Sequence, residues 1–477
     1  MGLAKRQPSY DDLVRVIADL QARLDAVEAD NERLRAENAE LKRRLAQDSS
    51  NSSKPPSSDS PFRKPAPRSQ RRSSGRKPGA QDGHEGTNLE RVADPDTVVE
   101  HRPAACGGCE NVLAQDAEAV GFSWSQVFDL PEPRLIVTEH RMLKVRCHCG
   151  HITRADHPHG VKAPTQYGPG VHALAVYQLV HQHVPCLRTA TGAADLHGAH
   201  LSEGFAHTAL DRAASHLAPF SERVVALLQL ADVAHFDESG IRVASSLHWV
   251  HVACTTHLTW YKAHAKRGKA GMADAGVLPY FTGTTVTDAW SSYLGYGTAG
   301  ALCNAHILRD LDGVHHTDPT GQQWAKAAID ALTTANDAAH AAREAGREAL
   351  TSDEITSLET QFDHAVRVGR STNPDPPPKA KKSFARQLVD RLIRRREDIL
   401  RFLHDLRVPF TNNQAEQDIR MTKIQMKVSG GWRTLDGANR WLLVRSYLST
   451  ARKHGLNPMT VLRDLFAGNP WLPPAPA

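Results

Sequence analysis

The chain has 477 residues, of which 40% are hydrophobic, and a formal net charge of +5. Single hydrophobic cores stop growing at roughly 250–300 residues, so this length predicts two or more domains. The sequence contains no run of about 18 apolar residues, which excludes a membrane span. The charged start, Met1–Arg6, lacks the apolar segment of a signal peptide. We therefore expect a cytoplasmic, nucleoid-associated protein whose seven cysteines are reduced.

A heptad repeat occupies residues 8–47. Apolar residues recur every seven positions, and a second set follows four residues after each of them: Leu13, Leu20, Val27, Leu34 and Leu41, then Ile17, Leu24, Asn31, Asn38 and Leu45. This pattern predicts a coiled coil, and asparagine at core positions favours a parallel dimer. We expect a homodimer or higher oligomer. The alternative is a single long surface helix.

Residues 48–90 form a basic segment rich in Ser and Pro. Such a composition cannot bury enough apolar surface to fold, so we predict a disordered linker. It is also a candidate DNA-binding arm, since basic side chains contact phosphates. The two interpretations are compatible. The candidate DNA-binding residues are Arg63, Lys64, Arg68, Arg71, Arg72, Arg76 and Lys77.

Two cysteine pairs lie in residues 91–165, Cys106 with Cys109 and Cys147 with Cys149. Paired thiolates are typical ligands of a tetrahedral Zn²⁺ site, and we expect strands at Ala119–Val127 and Arg134–Val145, as in a zinc ribbon. The second pair is one residue closer than usual, so the neighbouring His148 or His151 is an alternative ligand. Ordinary reduced thiols remain the other interpretation.

Residues 166–230 are predicted to be helical. Two short helices, Leu187–Leu196 and Phe205–Leu217, flank a Gly and Ser turn. This arrangement is compatible with a helix-turn-helix. We favour a helical layer that packs on the following domain.

Residues 231–300 contain two β runs that end in carboxylates, at Asp237 and Asp288. A predicted hairpin and a short helix lie between them. Three antiparallel strands, a crossover helix and a parallel strand are the order of a ribonuclease-H-like sheet, in which the first and fourth strands are neighbours. The two carboxylates would then converge on one divalent metal. A lone aspartate at a strand end is otherwise commonly a solvated cap. The adjacent Glu238 is expected to point to the opposite face.

Residues 301–405 are predicted to be a helical insertion, and residues 406–470 the last part of the same domain with C-terminal helices. The insertion ends in a basic helix, Ser383–Asp405, which suits either a phosphate-facing or a merely solvated surface. Glu416 is a candidate third acid. Its spacing from Asn413 also fits a helix capping box, which is the competing local interpretation. Asp418 is considered a decoy, and the pair Cys303 and His306 is expected to be structural.

Several segments together resemble the insertion-sequence-66 transposase family over essentially the whole chain. They include the heptad repeat, the cysteine pairs, the strings Asp237–Val243 and Thr287–Tyr293, and Cys303–His306. The string Asn412–Arg420 carries the most specific similarity. The resemblance implies a DDE catalytic domain with Asp237, Asp288 and Glu416 as its acidic triad.

This resemblance implies a multidomain α+β and α/β protein with a coiled coil, a zinc-ribbon-like module and a ribonuclease-H-like domain. It implies strand cleavage and transfer with Mg²⁺ or Mn²⁺ in the triad and Zn²⁺ at the four cysteines. The expected partners are element terminal inverted repeats, target DNA and accessory transposition proteins, with no membrane. The alternatives are a non-catalytic zinc and coiled-coil DNA-binding regulator, or a nuclease that cuts without joining.

Overall fold

The computed structural model describes residues 9–46, 79, 89–378 and 380–475. The candidate basic arm, from Arg63 to Lys77, lies outside the described residues. Among the described helices, none is long and apolar enough to cross a membrane.

The N-terminal helix α1 spans Tyr10–Ala46 and covers most of the heptad repeat. Its five leading heptad residues, Leu13, Leu20, Val27, Leu34 and Leu41, are between 48% and 56% exposed in the single chain. An apolar stripe of this kind is stabilised only by a partner helix. The helix is therefore confirmed, and its dimerisation stays a prediction.

A small unit comprises Arg68–Leu135, of which the structure describes residue 79 and residues 89–135. It holds one isolated antiparallel bridge, between Ala105 and Val112. The strand predicted at Ala119–Val127 is wrong, because Val120 and Phe122 are 100% and 85% exposed and pair with no neighbouring strand. An isolated strand has no ladder to satisfy its backbone.

A larger unit contains the rest of the described chain from Ile136 onward. Its first elements are two short antiparallel strands, β1 (Lys144–Arg146) and β2 (Ile152–Arg154). The strand predicted at Arg134–Val145 is thus limited to its last residues.

Four helices precede the main sheet: α2 (Pro169–Val176), α3 (Cys186–His197), α4 (Glu203–Ser215) and α5 (Ala218–Gln229). A π-helical turn, Tyr177–His181, extends α2. Helix α4 is capped by Ser202, whose hydroxyl accepts the Phe205 N–H at 3.1 Å. Ala173 of α2, Ala209 and Ala213 of α4 and Phe220 of α5 share one hydrophobic core with the sheet and the C-terminal helices. This packing is that of the predicted helical layer.

The main sheet has five strands: β3 (Val233–Val243), β4 (Ser246–Cys254), β5 (Thr259–His264), β6 (Thr284–Thr287) and β7 (Ala299–Leu302). Their order is β5-β4-β3-β6-β7. Strands β3, β4 and β5 are antiparallel, while β6 pairs in parallel with β3 and with β7. Helix α6 (Lys269–Asp274) lies in the crossover from β5 to β6.

Two features of the sheet differ from the sequence expectations. Strand β3 does not end at Asp237 but continues for six residues, because β4 pairs with it as far as Val243. Strand β7 was not predicted, since Ala299–Leu302 is short and contains a glycine. It is stabilised by pairing with β6, which local sequence does not reveal.

Five helices follow the sheet: α7 (Asn304–Thr317), α8 (Gln323–Glu344), α9 (Ser352–Thr372), α10 (Phe384–Arg394) and α11 (Arg396–His404). They bury a second core that also contacts β6 and β7. The single helix predicted over Ser383–Asp405 is wrong, because it breaks at Arg395 into α10 and α11.

Most of the basic charge on α10 and α11 is paired within the protein. Arg386 contacts Asp375 and Asp390, each at 2.9 Å. Arg396 contacts Asp363 at 2.8 Å. The proposed phosphate-facing role of this surface is therefore weakened, since these guanidinium groups already have carboxylate partners.

Three C-terminal helices complete the unit: α12 (Asn413–Ser429), α13 (Leu435–Lys453) and α14 (Pro458–Phe466). Helix α12 packs on β3 and β4, and α13 packs on β5. Buried Trp441, Tyr447 and Leu448 of α13 belong to the core beneath the antiparallel strands. Residues far apart in the chain are thereby brought together around β3, the central strand of the sheet.

Candidate active site

Asp237 and Asp288 lie beside each other on neighbouring strands. The parallel pairing of β3 with β6 ends at His235 opposite Val286. Asp237 follows two residues later, opposite Val252 of β4, and Asp288 comes directly after the end of β6. The carboxyl ends of parallel strands share one sheet edge, which is the usual position of ligand sites in such sheets.

Backbone amides orient both aspartates. The Glu238 N–H donates to Asp237 Oδ1 at 2.8 Å. The Trp290 N–H donates to Asp288 Oδ1 at 2.9 Å. These hydrogen bonds leave the second oxygen of each carboxylate free of the backbone.

Glu416 reaches this region from α12. The competing capping-box interpretation is wrong, because the helix begins at Asn413 and its cap residue, Asn412, makes no side-chain cap. The Asn412 amide instead donates to the Phe236 carbonyl at 2.9 Å and accepts from His235 Nδ1 at 2.8 Å. This buried asparagine ties the start of α12 to β3, so Glu416 is held on the aspartate side.

The pKa of Asp237 is sensitive to the charges of both other acids. Burial, together with the charges of Glu238, Asp288 and Glu416, raises the pKa of Asp237 from 3.8 to about 8, while the hydrogen bond from the Glu238 N–H opposes this rise. Burial, followed by the charge of Glu238, also raises the pKa of Asp288, while His306 is among the groups that lower it. Like charges within reach of each other and away from water produce such shifts.

The three carboxylates are not a single tight cluster. Their ligand oxygens do not all lie within 4.8 Å of one another, whereas Glu416 forms a group of that size with Cys303 and His306. Two cations about 3.5–4 Å apart spread their ligands more widely than one cation does.

Glu238 is not the bystander that its sequence position indicated. Its side chain is only 1% exposed and is bound by Arg267 Nη2 at 2.6 Å. The Tyr293 hydroxyl donates to its other oxygen. The Arg267 guanidinium lies over the rings of Trp249 and Trp290, at 4.9 and 4.1 Å from their centroids. This network joins β3 to the segment that carries Asp288.

Sequence reasoning missed Arg267 and assigned no role to Tyr293. Tyr293 and Trp290 are part of the Thr287–Tyr293 string, which offered a signal for them. No motif surrounds Arg267, which follows β5 in an irregular loop. Its contact with Glu238 could therefore not be predicted from the local sequence.

Asp418, the decoy of the sequence analysis, has partners of its own on β5 and α13. Its carboxylate pairs with Lys453 at 2.6 Å and accepts a hydrogen bond from Thr259 Oγ1 at 3.1 Å. Both partners belong to the β5 and α13 side of the sheet. Its role is to hold α12 against those elements.

The pair Cys303 and His306 lies next to Glu416. Cys303 Sγ accepts the Asn412 N–H at 3.2 Å, and His306 Nε2 is 4.0 Å from Glu416 Oε1. Burial raises the pKa of the Cys303 thiol to about 11. Burial also lowers the pKa of His306, which favours the neutral imidazole.

The donor set of the three acids suits a hard divalent cation. Carboxylate oxygens are the ligands that Mg²⁺ and Mn²⁺ prefer. Burial is the largest cause of the raised pKa of Asp237, and repulsion from the neighbouring carboxylates adds to it. Cation binding would offset that repulsion, so the residues fit such a group.

Each cysteine pair contains one thiol whose pKa is lowered by nearby backbone N–H groups. In the first, the backbone N–H groups of Gly108 and Cys109 lower the pKa of Cys106. In the second, the N–H of Cys149 lowers the pKa of Cys147. Stabilised thiolates are the form that binds Zn²⁺, so each pair is suited to metal ligation.

Comparison with known families identifies the class of protein. Residues 164–440, which include Asp237, Asp288 and Glu416, match the model of the "Transposase IS66 family". Residues 103–150, which include both cysteine pairs, match the "zinc-finger binding domain of transposase IS66". Residues 5–90 match a family of unknown function, DUF6444. Curated proteins gave no match.

The protein is thus a transposase with a zinc-finger domain, a combination that supports a DNA-binding role. The chain belongs to the IS66 family of transposases, whose model covers more than half of it. The zinc-finger match suggests zinc binding, and the DDE family suggests a divalent metal.

Proposed function

We propose that this protein is a DDE-type DNA transposase that binds the terminal inverted repeats of an insertion sequence and catalyses metal-dependent strand cleavage and transfer. The observation that carries the proposal is the approach of Asp237, Asp288 and Glu416 from β3, the end of β6 and α12. The strand order β5-β4-β3-β6-β7 supports a ribonuclease-H-like catalytic domain. Helices α7 to α11 would be its insertion.

Asp237, Asp288 and Glu416 would hold Mg²⁺ or Mn²⁺. Divalent cations at such carboxylates supply activation of a water or 3′-hydroxyl and stabilisation of the leaving oxygen in an in-line displacement. Water attack nicks the element end, and the freed 3′-hydroxyl then attacks target DNA. This chemistry requires no covalent protein intermediate, so no Ser or Tyr nucleophile is assigned.

The chain's own residues would keep the carboxylates in place. The N–H groups of Glu238 and Trp290 orient the two aspartates, and Asn412 fixes α12 on β3. Arg267 pairs with Glu238 and partly offsets the negative charge that Glu238 places beside the aspartates. Pre-organised ligands of this kind bind cations without a large rearrangement.

The N-terminal half would supply assembly and DNA binding. Helix α1 would form the homodimer, the segment from Arg63 to Lys77 would contact phosphates, and the four cysteines would bind Zn²⁺. The proposed boundaries are 8–47, 48–90, 91–165 and 166–230, followed by the catalytic parts at 231–300 and 406–470 around the insertion at 301–405. Accessory transposition proteins would be further partners.

The test is strand cleavage and joining on labelled element ends with Mg²⁺. Asp237→Asn, Asp288→Asn and Glu416→Gln should each reduce cleavage by about 100-fold or more, since metal stabilisation contributes several kcal/mol to the transition state. Asp232→Asn is the matched control, because this exposed carboxylate precedes β3 and pairs only with surface Arg407. Full activity in any of the three variants would overturn the triad.

The same assay separates the competing functions. Binding of element ends without cleavage by the wild type would indicate a non-catalytic regulator. Cleavage without joining would indicate a nuclease. Cleavage and joining that both depend on the three acids would support the transposase.

A further inference from the structure

Cys303, His306 and Glu416 form a compact group of metal-ligand atoms. Cys303 caps α7, His306 lies in its first turn, and Glu416 comes from α12. One ligand atom from each lies within 4.8 Å of the others, and no other such group occurs in the part of the chain that the structure describes. The three residue types differ from the all-carboxylate triad, so this group should bind a different metal ion.

The backbone around these residues is held by several hydrogen bonds. The Cys303 N–H donates to the Thr287 carbonyl of β6 at 2.8 Å. The Asn304 N–H donates to the Phe410 carbonyl at 3.1 Å, and its side-chain amide donates to the Ile399 carbonyl at 3.0 Å. The start of α7 is therefore fixed to β6 and to the segment that leads into α12.

His306 has an unsatisfied buried nitrogen. Its Nδ1 is buried without a hydrogen-bond partner. Its Nε2 lies 4.0 Å from Glu416 Oε1, which is too far for a hydrogen bond. Buried polar atoms in native proteins are nearly always paired, and an exception calls for an explanation such as an ion.

The ligand chemistry points to one class of cation. Thiolate, imidazole and carboxylate are the three protein ligand types of Zn²⁺, with bonds of about 2.0–2.3 Å. Mg²⁺ disfavours sulfur and nitrogen ligands. Three protein ligands leave a fourth tetrahedral position for water. We propose that Cys303, His306 and Glu416 form a Zn²⁺ site, distinct from the zinc-finger cysteines and adjacent to the catalytic acids.

Binding at this site would engage the carboxylate of Glu416. Under the proposed function, on which this consequence rests, the same carboxylate serves the Mg²⁺ or Mn²⁺ site. Zn²⁺ would then compete with the activating cation for a shared ligand. The binding itself does not depend on catalysis. Because the thiol must lose its proton, affinity should increase with pH.

The first experiment measures Zn²⁺ bound to the full chain by equilibrium dialysis. Wild type should bind one equivalent more than Cys303→Ser or His306→Gln, because each variant lacks one of the three protein ligands of the proposed site. Cys254→Ser is the matched control, since Cys254 is a buried thiol on β4 and should leave the stoichiometry unchanged. Equal stoichiometry in wild type and both site variants would overturn the proposal.

The second experiment tests metal binding at this site in a protein that lacks the zinc-finger cysteines. Cys106, Cys109, Cys147 and Cys149 are all replaced by serine, and Co²⁺ is titrated into this variant. A thiolate-to-cobalt absorption band is expected, and it should disappear when Cys303→Ser is added. Absence of this band in the four-serine variant, before Cys303→Ser is added, would refute the site. Neither measurement uses cleavage, so failure of this site and failure of the transposase activity are distinguishable.

Discussion

Replacing Asp237 by asparagine should stabilise the chelator-treated protein at alkaline pH. The substitution keeps the shape of the side chain and removes its charge. In the wild type, burial and the charges of Glu238, Asp288 and Glu416 raise the pKa of this carboxyl from 3.8 to about 8. The folded state therefore binds a proton that the unfolded state has already lost. Ionising Asp237 in the folded protein is consequently unfavourable.

The size of the effect follows from the pKa shift. A group whose folded pKa is raised favours folding below its unfolded pKa, and this contribution is lost as pH rises toward the folded value. Each pK unit corresponds to about 1.4 kcal/mol, so the shift of about four units weakens folding by about 5 kcal/mol at pH 8. In the asparagine variant the melting temperature should rise by roughly 5–10 °C at that pH. The difference should shrink toward pH 5.

Thermal unfolding measured by circular dichroism, with and without Mg²⁺, provides the assay. Mg²⁺ should raise the melting temperature of the wild type, because a ligand that binds only the folded state stabilises it. It should have little effect on Asp237→Asn, which lacks the central carboxylate. Asp232→Asn, at an exposed position, is the control and should behave as the wild type in both conditions.

Two results would refute this reasoning. The first is an Asp237→Asn protein that melts at or below the wild-type temperature at pH 8 in chelator. The second is a stability difference that stays constant between pH 5 and pH 8. Either result would show that the folded protein does not disfavour the ionised form of the Asp237 carboxyl.

Three further predictions concern the elements around the site. Lys453→Met leaves the Asp418 carboxylate buried without its ammonium partner. It should lower the free energy of unfolding by about 3–5 kcal/mol in urea titrations. Adding Asp418→Asn should restore much of this loss. Asn412→Ala removes two hydrogen bonds to β3, including that of His235. It should lower the free energy of unfolding by about 1–3 kcal/mol. Leu20→Lys places a charge in the heptad core and should convert a dimer into a monomer in sedimentation experiments.

Each of these predictions has a contradicting outcome. Wild-type stability of Lys453→Met would mean that Asp418 is hydrated rather than paired. Unchanged stability of Asn412→Ala would mean that α12 is held by apolar contacts alone. A Leu20→Lys protein that still sediments as a dimer would place the dimer contact outside the heptad repeat.

Elements with strong local patterns were predictable from the sequence. The heptad repeat predicts α1 because its apolar period matches one helix face. The β-rich runs near Asp237 and Asp288 predict neighbouring strands, and the structure pairs β3 with β6 in parallel. In both cases the determining information lies within a few residues. The catalytic roles of these acids stay predictions.

Features that depend on distant partners were decided by the tertiary structure. The spacing of Asn413 and Glu416 favoured a capping box, but packing of α12 on β3 directs the adjacent Asn412 into the core instead. Strand β7 exists because β6 offers it a ladder. The predicted strand at Ala119–Val127 has no such neighbour and does not form.

Around the three acids, too, some features follow from local sequence and others only from packing. The sequence by itself determined which carboxylates are candidates, because their strings and strand positions are local. It could not determine that Arg267 and Tyr293 bind Glu238, or that Cys303 and His306 meet Glu416. These contacts join elements separated by tens of residues or more. Only the packing of α7 and α12 around the sheet edge brings them together, because side-chain charge and burial depend on three-dimensional neighbours.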